Sequence, residues 1–511
     1  MKRNGSDKLN WLKRPFAVAA LCAAATVALP AQTFTKLFNF DTTNGYEPIA
    51  GLVQGADGDF YGTTPYGGAN PQTSCSGCAG TVFKINPNGT LTTLYNFCSQ
   101  SGCADGEGPY AGLVQGTDGN FYGTTEGGGA TAAGGISGGG TVFKITPDGT
   151  LTTLYKFCSQ SGCTDGSIPM TALVLAANGD FYGTTAGGGA DLSGAPNGGG
   201  TVFKITPDGA LTTLYSFCSR SGCTDGTDPH GLVLAANGDF YGTTGGGGAN
   251  GNHGTVFKIN ASGALTTLYS FCSLSDCTDG DSPYAGLVQA TNGDFYGTTY
   301  SGGATNNGTV FKIAPSGTLT TLYSFCTEGV YPECPDGAWP NAALVQASDG
   351  RFYGTTPTGG ANQVYGTAFR ISLTGAFTTL HSFCSRFECA DGASPQAGVV
   401  QGTNGDFYGT TLGGGGLGLY GDGTVFNLST GLGPLVKTEP HFGAVGAAIT
   451  ILGTDLAGAT GVSFNGTPTV FEVVSATEIT TTVPVGATTG SVQVTTPGGV
   501  LLSGGPFLVA P

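Results

Sequence analysis

Phe34-Thr35-Lys36-Leu37-Phe38-Asn39-Phe40 decides the fold, because it copies a segment that elsewhere closes a repeat. The copy is Leu91-Thr92-Thr93-Leu94-Tyr95-Asn96-Phe97. Phe-Tyr-Gly-Thr-Thr occurs seven times, beginning at Phe60, Phe121, Phe181, Phe240, Phe295, Phe352 and Phe407. Thr-Val-Phe-Lys-Ile or a close variant follows each, at Thr81, Thr141, Thr201, Thr255, Thr309, Thr367 and Thr424. Self-similarity at a period of 55 to 61 residues marks an array of one supersecondary unit.

Each unit predicts four strands. In the second these are Gly112 to Gln115, Phe121 to Thr125, Thr141 to Ile145 and Leu151 to Phe157. Asp118-Gly119 joins the first two and Pro147-Asp148-Gly149 the last two, both strong turn signals. Val142 is apolar on one face, Phe143 and Ile145 on the other, so each sheet needs a neighbour on both sides. The seventh copy ends at Thr424 to Leu428 without a fourth strand, and the segment at Phe34 supplies it. An array that takes its last strand from its own beginning is predicted to close, which hides a sheet edge. The expectation is an all-β chain, a seven-bladed β-propeller over 33–429 closed by an N-terminal strand. A small immunoglobulin-like β-sandwich follows over 434–511, where apolar and polar residues alternate between turn signals.

Composition agrees. Gly makes up 93 of 511 residues and charged residues only 10%, yet 39% are apolar and the glycines recur at fixed places, which argues against disorder. Residues 1–31 read as a signal peptide: a basic start ending at Lys13-Arg14, then an apolar stretch from Phe16 to Leu29, with cleavage after Ala31 or Ala28. Cys22 raises acylation as an alternative, but Leu21 stands where that signal wants a small residue. No other apolar run is long enough to span a membrane. Removing 1–31, with five basic residues and Asp7, takes the net charge from −16 to −20. Such a chain repels polyphosphate, which excludes nucleic acid as a partner, and a monomer is expected.

Fourteen cysteines then remain, an even number in an exported chain. Local pairing is the simplest connectivity: Cys98 with Cys103, Cys158 with Cys163, Cys218 with Cys223, Cys272 with Cys277, Cys326 with Cys334, Cys384 with Cys389, and Cys75 with Cys78. Redox chemistry at Cys75-Ser76-Gly77-Cys78 is the rival, without the strand-helix setting that activates a dithiol. Zinc lacks a His at ligand spacing.

The Asp-Gly-x-Phe-Tyr-Gly-Thr-Thr, Gly-Thr-Val-Phe-Lys-Ile and Leu-Thr-Thr-Leu-Tyr-x-Phe segments resemble the bacterial GloVer (Gloeobacter/Verrucomicrobia) tandem-repeat family over Thr33 to Ser429. The resemblance implies secreted or surface-exposed proteins, often with a C-terminal anchor, and no settled activity. Ala448 to Gly453, Gly461 to Gly466, Thr480 to Pro484 and Gly490 to Val494 look like an IPT/TIG domain, which implies a spacer or adhesion module. Lys437 is its one basic residue, against the DNA-binding role of some such domains. The sequence stops at Pro511 without a hydrophobic tail, so secretion or tethering through a partner is expected.

Strand direction alternates, so tight turns fall on one face and longer, variable loops on the other, where binding usually sits. On that loop face, beside a Pro, the residue type changes between repeats: Tyr110, Met170, His230, Tyr284, Trp339 and Gln396. Tyr110, His230, Tyr284 and Trp339 are the ligand-face candidates, since aromatic rings stack on the apolar face of a sugar; filling of the channel mouth is the structural alternative. Asp105, Asp165, Asp225, Asp279, Asp336 and Asp391 follow the cysteine pairs. They read as turn caps, with a Ca²⁺-holding ring near the channel mouth as the sharper alternative. No catalytic or metal residue is assigned. Gly135-Ile136-Ser137-Gly138-Gly139 matches a hydrolase elbow without its strand-turn-helix setting. The expected function is non-catalytic binding of glycan or cell-surface polymer, or a structural role; the alternative is a polysaccharide hydrolase or lyase using paired carboxylates.

Overall fold

Seven four-stranded antiparallel sheets follow one another along the repeat region. The computed structural model describes residues 32–69, 79–129, 138–190, 198–327, 329, 331–362, 364–416 and 421–510. Residues 1–31, expected to be a signal peptide, the pair Cys75 and Cys78, and Gly135 to Ser137 lie outside the described residues. Sheet 2 runs Val114–Gln115, Phe121–Thr125, Thr141–Ile145 and Leu151–Lys156 from inside to outside, and sheets 1 and 3 to 6 repeat it. Sheet 7 takes Val400–Gln401, Phe407–Thr411 and Thr424–Ser429 from the seventh repeat and its outer strand from Thr33–Asn39. Thr33 faces Ser429 and Asn39 faces Thr424 in an antiparallel ladder.

The repeat motif explains how the sheets stack. In Phe-Tyr-Gly-Thr-Thr, Phe and Tyr point to opposite faces of the second strand. Tyr61 stacks on Phe121 of the next sheet at 4.0 Å, and Tyr182 on Phe240 at 4.1 Å. The same contact joins sheet 7 to sheet 1, Tyr408 on Phe60 at 4.0 Å. The Gly must be Gly because the third strand's Phe lies over it: a Cβ on Gly123 would stand 2.6 Å from Phe143 Cζ. Phe143 meets Phe97 of the preceding sheet edge-on at 5.1 Å, and Phe83 meets Phe40 of the N-terminal strand at the same distance.

Hydrogen bonds repeat the pattern on the inner strands. Gln289 Oε1 accepts from Ala236 N at 2.9 Å, Gln346 Oε1 from Thr291 N at 3.0 Å, and Gln401 Oε1 from Ser348 N at 3.0 Å, each in the preceding sheet. Gln54 Oε1 accepts from Thr403 N at 3.0 Å, from sheet 7 to sheet 1. Sheets 3 and 4 depart from this, with Leu175 and Leu234 in place of Gln.

Those leucines receive the C-terminal domain. Its two four-stranded sheets enclose a core of Val436, Ile449, Ile451, Val462, Phe464 and Ile479, among others. Phe442 of this domain is buried in one cluster with Leu175, Ala176 and Leu234, with Leu508 packed against it. Leu435 N donates to Thr403 O at 2.9 Å, and Thr477 Oγ1 to Ala56 O at 3.4 Å, so the domain sits at the tight-turn ends of the sheets.

Candidate functional site

At the opposite ends of the inner strands, loops of several sheets converge on one cavity, called here the mouth. Each inner strand is entered through the same short path: a Gly, two variable residues, a Pro, then the residue that reaches the mouth. The residue before the Pro is left-handed, φ 56° at Asp228, 56° at Ser282, 58° at Trp339 and 54° at Ser394. That conformation costs roughly 1–3 kcal/mol for a non-Gly residue. It turns the N–H back to the preceding sheet, as in Ser282 N to His253 O at 3.0 Å and Trp339 N to Asn307 O at 2.8 Å.

This register corrects one assignment. Tyr110, Met170, His230, Tyr284 and Gln396 each follow the Pro, whereas Trp339 precedes Pro340; the residue in their rank is Asn341, and Ile49 completes the set. Ile49, Tyr284, Asn341 and Gln396 line a cavity of about 410 Å³ at the mouth, together with Tyr300 and Leu412. The last two come straight after Phe-Tyr-Gly-Thr-Thr, where the sequence holds Pro65, Glu126, Ala186, Gly245, Tyr300, Pro357 and Leu412. That variability inside an otherwise constant repeat was the available signal for a second rank of mouth residues.

The aromatic residues gather in two arcs. His230 meets Tyr284 edge-on at 5.2 Å, Tyr284 meets Tyr300 at 5.6 Å, and Tyr300 stacks on Trp339 at 5.9 Å. Trp339 in turn packs on Tyr331 at 4.6 Å. Tyr284 and Tyr331 keep about two-fifths of their surface exposed. Across the mouth, Tyr46 stacks on Tyr66 at 5.4 Å, and the Tyr66 and Tyr110 hydroxyls are hydrogen-bonded. Thus Tyr110 stands apart from His230, Tyr284 and Trp339, which form one surface.

Polar atoms without partners lie beside that surface. Asn341 donates through Nδ2 to Gln396 Oε1, while its Oδ1 is buried with no hydrogen-bond partner among the described residues. His230 Nε2 is likewise buried and unpartnered, Asp228 Oδ2 standing 3.4 Å away. Glu126, beside the other arc, is held above the usual carboxylate range by burial and by the charge of Glu107.

The aspartates after the cysteine pairs are not at the mouth. Asp105 is fully buried at the outer strand, where Oδ2 accepts from Tyr95 OH at 2.8 Å, Ser99 N at 3.0 Å and Ser99 Oγ at 2.9 Å, and Oδ1 from Gln100 N at 3.1 Å. Asp165, Asp225 and Asp279 do the same. In sheet 6 His381 replaces the Tyr, its Nε2 lying 3.1 Å from Asp391. Burial raises the Asp391 carboxyl, but hydrogen bonds from His381 and Ser385 outweigh it and bring the group down to about 2. These carboxylates spend their lone pairs on local donors at the circumference and act as turn caps; Asp336 does so through Oδ2 alone, its Oδ1 having no partner among the described residues.

Six cysteine pairs lie at bonding distance beside these caps. Cys98 meets Cys103, Cys158 meets Cys163, Cys218 meets Cys223, Cys272 meets Cys277, Cys326 meets Cys334, and Cys384 meets Cys389. In five of them the second cysteine is left-handed, φ 50° at Cys103, 51° at Cys163, 50° at Cys223, 51° at Cys277 and 50° at Cys389. The turn this makes brings its sulfur back to a partner five residues earlier. Cys334 reaches across eight residues instead. None of these cysteines lines the mouth cavity, so Cys163, Cys223, Cys334 and Cys389, like their partners, hold loops at the circumference and are not ligand groups. His253 comes within 4.8 Å of Cys272 and Cys277, closer than the sequence spacing suggested, but bonded sulfurs offer a metal no thiolate. No helix among the described residues is long and apolar enough to cross a membrane.

The sequence matches the family model of the Gloeobacter/Verrucomicrobia repeat over residues 25–195, 189–335 and 278–467, and that of the IPT/TIG domain over 437–508. No curated protein matches it. Among solved structures it is similar to a fungal alcohol oxidase of the AA5 family in complex with copper: 14% identity, 94% of this chain and 99% of that one covered, TM-score 0.50. It also resembles PorZ, a bacterial surface component of the type-IX secretion system of Porphyromonas gingivalis, at 14% identity, 93% and 60% coverage and TM-score 0.46. An auxiliary nutrient binding protein from Bacteroides ovatus follows at 10% identity, 78% and 76% coverage and TM-score 0.39. At such identities the likeness is one of chain path.

Proposed function

We propose, from the premise that the chain belongs to the Gloeobacter/Verrucomicrobia repeat family, that it is an exported, non-catalytic binding protein for glycan or cell-surface polymer. In this reading the seven sheets are blades of one closed propeller and the ligand docks at the loop-face mouth. Closure is supported by three contacts that recur between sheets and again between sheet 7 and sheet 1: the Tyr–Phe stack, the Phe–Phe edge contact and the inner-strand Gln bond. The six cysteine pairs fit an oxidising exterior.

The observation that carries the binding reading is the surface formed by His230, Tyr284, Tyr300 and Trp339 beside the unpartnered Asn341 Oδ1. Aromatic faces take the C–H side of a sugar ring, and a buried acceptor without a donor takes a hydroxyl. A screen of glycans and cell-wall polymers with the mature chain, run with and without Ca²⁺, tests this. Retention that falls about tenfold in Tyr284→Ala/Trp339→Ala, a loss near 1.4 kcal/mol, supports it; retention unchanged in that variant removes it.

A second reading, glycosidic bond cleavage, has one observation in its favour. Glu126 is raised and Glu107 lies close enough to raise it, the pairing of acid and carboxylate that such chemistry uses. Product release from the same polymers, lost in Glu126→Gln, would establish it; a panel without turnover sets it aside.

A further inference from the structure

We infer that a second, separate binding site lies beneath the C-terminal domain, and that it takes a small zwitterion, such as an apolar amino acid or a dipeptide. A cavity of about 670 Å³ separates that domain from the tight-turn ends of the inner strands of sheets 4 to 7. Its wall is largely apolar, with Val233, Val288 and Leu508 among the lining residues. Three ionisable side chains from one segment of the domain also line it: Lys437, Glu439 and His441.

None of these three side chains has a hydrogen bond or ion pair among the described residues. Lys437 and Glu439 flank Thr438 on a strand paired with Thr450 to Leu452, so both leave the same side, roughly 6.6 Å apart at their roots. They form no ion pair with each other within 4.0 Å, though each feels the other's charge. His441 is exposed by area, its ring lining this partly open cavity. Burial lowers its basicity, brings Lys437 down to about 8 and raises Glu439 to about 7. Charges partly withdrawn from solvent in this way are costly until a counter-charge arrives.

The ligand's chemistry follows from the order of the groups. A simple anion meets Lys437 but is repelled by Glu439, and a simple cation meets the reverse. An uncharged sugar leaves both unpaired. A zwitterion places its carboxylate against Lys437 and its ammonium against Glu439, and an apolar side chain then covers Val233 and Val288. The lone basic residue of the domain is thereby explained as a ligand group turned inward. The inner strands that carry Tyr284 and Asn341 to the mouth carry Gln289 and Gln346 to this cavity, so the two sites stand at opposite ends of shared walls.

The test titrates the mature chain with leucine, alanyl-leucine, N-acetyl-leucine, leucinamide and N-acetyl-leucinamide, read by calorimetry and thermal shift. We expect leucine or alanyl-leucine to bind, and blocking either charged end to weaken binding by tenfold or more. Lys437→Met should erase the preference for a free carboxylate, Glu439→Gln that for a free ammonium, and Tyr284→Ala should change neither. Equal binding of N-acetyl-leucinamide and leucine overturns the inference, as does the absence of any response at millimolar concentration from protein shown folded by circular dichroism. The wild-type panel decides the matter even if a variant fails to fold.

Discussion

The two ends of the inner strands are built from the same seven repeats and solve opposite problems. At the loop end, the residue after each Pro differs from sheet to sheet, and aromatic rings are left half-exposed. At the tight-turn end five repeats keep Gln, four of them bonded sideways to the preceding sheet, and two substitute Leu. Those two leucines receive Phe442 and Leu508 of the C-terminal domain. The contrast teaches that function in a repeat array is written in departures from the repeat: many small ones where a surface must vary, and a single paired one where another domain must dock.

The largest effect tests whether the repeat contacts are equal all the way round. Tyr408→Ala and Tyr241→Ala should each cost about 3–5 kcal/mol in chemical denaturation, since each removes a buried ring from a stack between sheets. A far smaller loss for Tyr408→Ala would mean that sheets 7 and 1 merely touch. Next, Phe442→Ala should loosen the docking of the C-terminal domain by about 3 kcal/mol, read as protease cleavage near Gly431. Leu234→Gln should act in the same direction by removing an apolar contact from the cluster that holds Phe442.

These departures were visible as letters, yet their meaning was not. The strand order, the pairing of Phe34 with the strand near Phe426 and the local cysteine pairs follow from spacing alone. The docking of Phe442 does not, because its partners at Leu175 and Leu234 lie more than 200 residues away and no periodicity connects them. Trp339 stands beside a Pro as Tyr284 does, but it precedes Pro340 whereas Tyr284 follows Pro283, and the left-handed residue before each Pro sets the true register. The aspartates were readable as caps, but their place at the circumference depends on a tyrosine from the outer strand.

Two intermediate effects sharpen the contrast between rim and core. Replacing Cys98 and Cys103 by Ser should cost about 2 kcal/mol on the loop-closure model and leave the inner strands intact, measurable as a lower melting temperature with unchanged circular dichroism. Asp391 contributes about 2 kcal/mol through its lowered carboxyl. Its folded value lies below the ordinary 3.8, so that stability is present above about pH 4 and is lost as pH falls through about 2. The acid limb of the stability curve should therefore flatten in Asp391→Asn. The smallest effect on stability, under 1 kcal/mol, is expected for Tyr284→Ala/Trp339→Ala, whose loss should appear in ligand retention alone.

The strand Thr33–Asn39 is synthesised first and finds its partner last, since Thr424 to Ser429 emerge almost 400 residues later. Bringing such distant ends together carries an entropic cost on the order of 5 kcal/mol, and until then one sheet edge stays bare. Refolding should therefore end with a slow annealing event confined to sheet 7. A peptide spanning Phe34 to Phe40, added during that interval, should compete for the vacancy and trap sheet 7 with a foreign outer strand.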